Sequence, residues 1–226
     1  MCTVETSYNR VRSELAELGL IADGLYLDCI ELCISDYPCQ GELGYLFEHV
    51  GGWARLGFKP GVIYLPSDLS AHSRQAGHTV LDTIRHEYAH AWWYVDPRFF
   101  RDEWFVNTFG APYSNGNPKP FQQWQRSVVQ SRKYCKAVSR CRTESGVHRI
   151  WDKCLHEQFI SEYAATSAAE DFAETFMFYL KYRKSLDRFQ SRPTVYRKIK
   201  AVEKAVQRAA KQLGWGHQKH WRIASA

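Results

Sequence analysis

The segment 79–95 constrains this chain more than any other. Val80, Leu81, Ile84, Tyr88 and Ala91 recur at the spacing of one helix face, and Pro97 forbids continuation just beyond Asp96. A helix of this length with an apolar stripe must be covered by other elements, so the flanking sequence has to supply the covering layer. Upstream, Val11, Leu15 and Leu18 predict an amphipathic helix over 8–18 that ends at Gly19. Segment 25–34 reads as a buried strand or a second helix, and periodicity does not separate the two. After the Gly-rich stretch 51–58, Val62, Ile63, Tyr64 and Leu65 lie between Gly61 and Pro66 and predict a short strand. Pro66 suits an edge strand, where a missing N–H costs little.

Downstream the pattern becomes helical. Residues 98–120 are rich in Gly, Pro, Asn and aromatics without a sustained period and read as a long irregular connection. A basic helical stretch over 121–136, a strongly helical segment over 167–180 and a last helix over 194–213 follow, the last with Val195, Ile199, Val202 and Val206 in one stripe. The expected class is α+β: a small mixed sheet with the 79–95 helix, then a mainly helical C-terminal half. The 226 residues are long enough to bury one core, and the expectation is a single domain with an N-terminal subdomain 1–96 and a C-terminal subdomain 97–226.

No apolar run approaches the roughly 20 residues that span a bilayer, and the first ten residues lack a secretory profile. A soluble chain is expected, cytoplasmic or delivered without a cleavable signal peptide. Seven cysteines contain no C-x-x-C pair, so reduced thiols are preferred over disulfides or a structural zinc site.

The chemistry lies on the 79–95 helix. His86-Glu87-Tyr88-Ala89-His90 is an H-E-x-x-H string, and residues four apart on a helix share a face. His86 and His90 can therefore grip one zinc ion, while Glu87 beside them can take a proton from an activated water. A catalytic zinc needs a third protein ligand and an open position. Glu170 is the outstanding candidate: Glu170 and Glu174 are four apart on a segment otherwise lined by Phe172, Ala173, Phe176, Met177 and Tyr179, where burying carboxylates is costly without a cation or donor to meet them. Glu174 would then accept the free N–H of a ligand histidine and set its tautomer. Asp171, between them, is expected to face water.

These residues carry a resemblance. The run Tyr163-Ala-Ala-Thr-Ser-Ala-Ala-Glu170-Asp-Phe-Ala-Glu174-Thr-Phe176, taken with the H-E-x-x-H string, resembles the glutamate helix of the gluzincin zinc metallopeptidases, most closely the anthrax lethal factor type of catalytic domain. Ser167 stands where that pattern has Asn, and the likeness covers only the two motif helices and their approach. It implies a zincin-like fold, one catalytic zinc, a protein or peptide substrate, and Tyr163 as the hydroxyl that steadies the oxyanion. In such folds an extended substrate adds to an edge strand above the motif helix, a role that falls in chain order to Val62, Ile63 and Tyr64. Thr166 or Ser167 is the expected N-cap of the glutamate helix. Trp92, Trp93, Trp104, Phe105, Phe109 and Tyr113 are candidate pocket lining, though an aromatic set of this size is ordinarily core.

The chain carries a formal net charge of +6, with the excess concentrated in 126–153 and 181–211. A DNA-associated zinc protease is the rival this raises, against the blander reading that these charges solvate helix faces. A non-catalytic zinc-binding module is a second rival; Glu87 argues against it, because a structural site needs no base.

Overall fold

A computed structural model of the chain describes residues 4–22, 25–35, 44–46, 62–66, 78–95, 102–109 and 129–224. The stretch 51–58, Pro97, Tyr113 and the first part of the basic segment 121–136 lie outside these residues. The chain divides into two compact units, Met1–Pro97 with Val202–Ala226, and Arg98–Ala201. The sequence placed everything after 96 in one C-terminal subdomain; residues 202–226 belong instead with the first unit.

In the first unit, α1 (Val4–Glu17) buries Ser7, Val11 and Leu15, one residue per turn along a single face. It ends where expected, and the reason is visible. Gly19 takes a positive φ of 71°, its N–H bonds to the Ala16 carbonyl at 2.9 Å, and the Leu20 N–H reaches back to the Leu15 carbonyl at 2.9 Å. This paired bonding is the Schellman arrangement, completed by the burial of both Leu15 and Leu20. A short hairpin, β1 (Ile21–Ala22) with β2 (Leu25–Tyr26), and a 3₁₀ turn (Leu27–Cys29) lead into β3 (Glu31–Ser35). Segment 25–34 is thus strand, turn and strand rather than one element.

The main sheet has the order β3-β5-β4, with β4 at Gly44–Leu46 and β5 at Val62–Pro66. β5 runs parallel to β3, Glu31 facing Val62 and Ile34 facing Leu65, and antiparallel to β4, Gly44 facing Tyr64. The expected edge position of 62–66 is therefore wrong: β5 is the middle strand. Its main-chain groups are used on both sides, and Val62, Ile63 and Leu65 are buried. Val62, Ile63 and Tyr64 have no open backbone edge with which to receive a substrate.

α2 (Val80–Val95) packs against α1 and β4. Thr79 starts it: the Thr79 hydroxyl accepts the Asp82 N–H at 3.2 Å and the Asp82 carboxylate accepts the Thr79 N–H at 3.2 Å, a reciprocal cap. Arg85 ties the helix to α1, donating Nε and Nη2 to the two Glu14 oxygens at 2.8 and 2.7 Å and Nη1 to Asp82 at 3.0 Å. The helix is more enclosed than a single stripe requires, since every residue from 84 to 89 is buried. Toward the chain's end, Val202, Ala205, Val206 and Ala209 are buried, and Ala210 lies against Gly19.

The second unit is helical. The connection read as irregular contains α3 (Glu103–Phe109), whose Phe105 and Phe109 pack edge-on against Phe172, with ring centroids 5.3 and 5.7 Å apart. Trp92 in the first unit and this phenylalanine pair are core rather than pocket lining. α4 (Arg132–Val138) and α5 (Glu144–Gln158) follow, capped by Ser131 and Thr143. A 3₁₀ turn (Tyr163–Ala165), α6 (Ala168–Tyr182), a second turn (Leu186–Phe189) and α7 (Pro193–Ala224) complete the order. The stripe of α7 holds as read, Val195 and Ile199 being buried in this unit. Cys33, Cys135, Cys141 and Cys154 are free thiols. No helix among the described residues is long and apolar enough to cross a membrane.

Candidate metal centre

His86, Glu87 and His90 sit at the enclosed centre of α2. His86 and Glu87 are 7% and 5% exposed, so both are held in a medium that penalises uncompensated charge. The two imidazoles meet edge to face, and their Nε2 atoms stand 3.1 Å apart. Two nitrogens bound to one tetrahedral zinc at 2.0–2.1 Å are separated by about 3.3 Å, so the spacing fits a shared cation. Glu87 Oε2 is buried without a hydrogen-bond partner among the described residues. A buried carboxylate oxygen in that state is expensive unless something else meets it.

Neighbouring residues hold the motif in place. Tyr88 is fully buried and stacks on Tyr8, with ring centroids 6.0 Å apart, and burial pushes its phenol well above the usual tyrosine range. Arg85, one position before His86, is bound to Glu14 and Asp82 as described. The histidines thus project from a helix whose rotation is set by a ring on one side and by a guanidinium on another.

Glu170 and Glu174 lie on α6. Ser167 is its N-cap: the Ser167 hydroxyl accepts the Glu170 N–H at 3.2 Å, while Thr166 instead donates to the Tyr163 carbonyl at 2.8 Å. This resolves the two cap candidates in favour of Ser167. Acidic residues in the first turn also complement the helix dipole. Glu174 is completely buried, and its Oε2 accepts the Ser161 hydroxyl at 2.6 Å. Ser161, the partner of Glu174, was not singled out from the sequence. It carries no motif signature, and its bond spans thirteen positions. Tyr163 stands on the 3₁₀ turn and is 52% exposed.

Asp171 does not face water, contrary to expectation. It is 2% exposed, and its Oδ2 accepts the Lys198 ammonium at 2.6 Å. Burial pushes the Asp171 carboxyl up to about 6, against the opposing pull of Lys198. Lys198 is itself lowered by burial. Asp171 follows Glu170 in sequence but points to a different face of the helix; its partner Lys198, from α7, makes that inward orientation tolerable.

Among the described residues, His86, His90 and Glu170 form a group able to hold a metal ion, their ligand atoms all within 4.8 Å of one another. Two imidazoles and one carboxylate are a donor set of the kind that holds a divalent metal ion, zinc among them. Compared with protein-family models, with curated proteins and with solved structures, the chain matches none.

Proposed function

We propose that this chain is a zinc-dependent endopeptidase of the gluzincin kind, with a zincin-like fold. The observation that carries the reading is the set His86, His90 and Glu170, with the Glu87 carboxylate one residue from the first ligand. When bound there, zinc supplies Lewis acidity that makes water acidic enough to deprotonate near neutral pH. Glu87 takes the proton from the attacking water and delivers it to the leaving amine, which requires a carboxylate oxygen not tied up by another donor. Its Oε2 meets that requirement among the described residues. Tyr163 donates its hydroxyl to the oxyanion that develops on the substrate carbonyl. Glu174 orients one ligand histidine; with Oε2 committed to Ser161, that role falls to Oε1.

In this reading the substrate pairs with β4. Among the described residues β4 has β5 on one side and no strand on the other, and it packs on α2, the helix that bears the motif. Main-chain pairing there holds an extended peptide with little demand on its sequence.

The test uses the Glu87→Gln variant. It should bind zinc as the wild type does and lose cleavage of a proteome-derived peptide library by about 10² to 10⁴-fold. Cleavage that persists in this variant at the wild-type rate overturns the mechanism.

A further inference from the structure

Lys198 is 3% exposed, although a lysine on an exposed-looking helix ordinarily reaches water. Its ammonium donates to Asp171 Oδ2 at 2.6 Å and to the Gln158 carbonyl at 3.0 Å, and lies 4.2 Å from the centre of the Phe159 ring. Arg192, on the residue before α7, donates Nε to the His156 carbonyl at 2.7 Å and Nη2 to the Phe159 carbonyl. Two cations thus occupy the carbonyls at the end of α5, where the helix dipole favours positive charge.

The two residues that Lys198 joins have a particular place in the chain. Gln158 is the last residue of α5, and Asp171 is in the first turn of α6. Between them run Ser161, which holds Glu174, and then Tyr163 and Glu170. Ser161 also accepts the Ala164 N–H at 3.1 Å, so the segment is internally braced as well as tied at both ends.

Stability is a poor explanation for this pair. Desolvating an ammonium and a carboxylate is costly, and a well-packed apolar pair of similar volume often folds as well or better. Asp171 Oδ1 is moreover buried without a hydrogen-bond partner among the described residues. What an ionic tether supplies, and an apolar pair does not, is a directional link from one atom to two points on the backbone path.

We infer that Lys198 is a positioning residue: by joining Gln158 to Asp171, it fixes the 159–170 segment that presents Tyr163 and Glu170. The inference rests on the zinc-peptidase reading for its purpose, and on the hydrogen bonds alone for the tether.

The test compares the wild type with Lys198→Met/Asp171→Leu, which replaces the pair by apolar side chains and leaves no charge stranded, and with the near-isosteric Asp171→Asn. Amide hydrogen exchange over 161–170 in the metal-free proteins should rise roughly tenfold in the double variant, with protection in α3 unchanged. The Asp171→Asn variant should raise it at the same residues by a smaller factor. Zinc affinity in chelator competition should fall about 10- to 100-fold. Unchanged exchange over 161–170 in either folded variant overturns the tether, and faster exchange with wild-type zinc affinity overturns the positioning role. If the wild type itself binds no zinc, the metal reading fails separately, and the exchange data still decide the tether.

Discussion

The Ser161 hydroxyl donates a 2.6 Å hydrogen bond to Glu174 Oε2, joining the segment ahead of the 3₁₀ turn to the second turn of α6. Because Glu174 is fully buried, this hydroxyl offsets part of the cost of placing a carboxylate in an apolar helix face. Ser161→Ala strands that oxygen and should destabilise the protein by about 1–3 kcal/mol in urea unfolding. If Glu174 orients a ligand histidine, zinc affinity falls as well. Wild-type values for both quantities would show that the bond does neither job.

On the proposed reading, Glu170→Ala removes a metal ligand rather than an orienting group. Metal analysis of the purified variant should find zinc occupancy well below that of the wild type, with far-UV circular dichroism unchanged. Full occupancy excludes Glu170 from the ligand set.

Tyr163→Phe deletes only an oxygen, from a residue that is half exposed, so its effect on folding should be small. Peptide cleavage should drop about 10² to 10³-fold in kcat, the scale of losing one oxyanion donor. Zinc affinity and Tm should not move, and an unaltered kcat rules out the oxyanion role.

Arg85→Met leaves the Glu14 and Asp82 carboxylates facing each other without the guanidinium that both now contact. Glu14 retains some exposure, so the penalty should sit at the low end for a broken buried pair, about 3 kcal/mol. Chemical denaturation measures it directly, and a loss below 1 kcal/mol would mean that water relaxes the site.

Gly19→Ala is penalised twice, by a positive φ of 71° and by a new Cβ only 3.1 Å from Ala210 Cβ. The left-handed conformation alone costs about 1–2 kcal/mol for a residue with a Cβ. A stabilised variant in the same assay would contradict both the turn and the approach of the last helix.

Much of the local architecture was legible because it depends on residues within one helical turn of one another. Gly19 stops α1 through bonds to positions 15 and 16, Thr79 caps α2 through position 82, and Ser167 caps α6 through position 170. The Val195, Ile199, Val202 and Val206 stripe follows the helix period in the same way. By contrast, α3 and α5 were not read: α3 is only seven residues long and leaves little period, whereas α5 does carry one, with Val147, Ile150, Trp151, Cys154 and Leu155 at helical spacing, although it buries no residue.

By itself, the sequence determined the H-E-x-x-H helix, with two imidazoles and a carboxylate on one turn, and a second helix bearing Glu170 and Glu174, since these follow from spacing along a regular element. Tertiary structure decided the matters that depend on partners far along the chain. Strand 62–66 became central rather than edge because β3 and β4 take both its sides. Asp171 turned inward because Lys198, twenty-seven positions on, supplies the ammonium that makes a buried carboxylate tolerable. Periodicity states which residues share a face; only the assembled chain states what that face meets, and for a buried charge the partner decides its position.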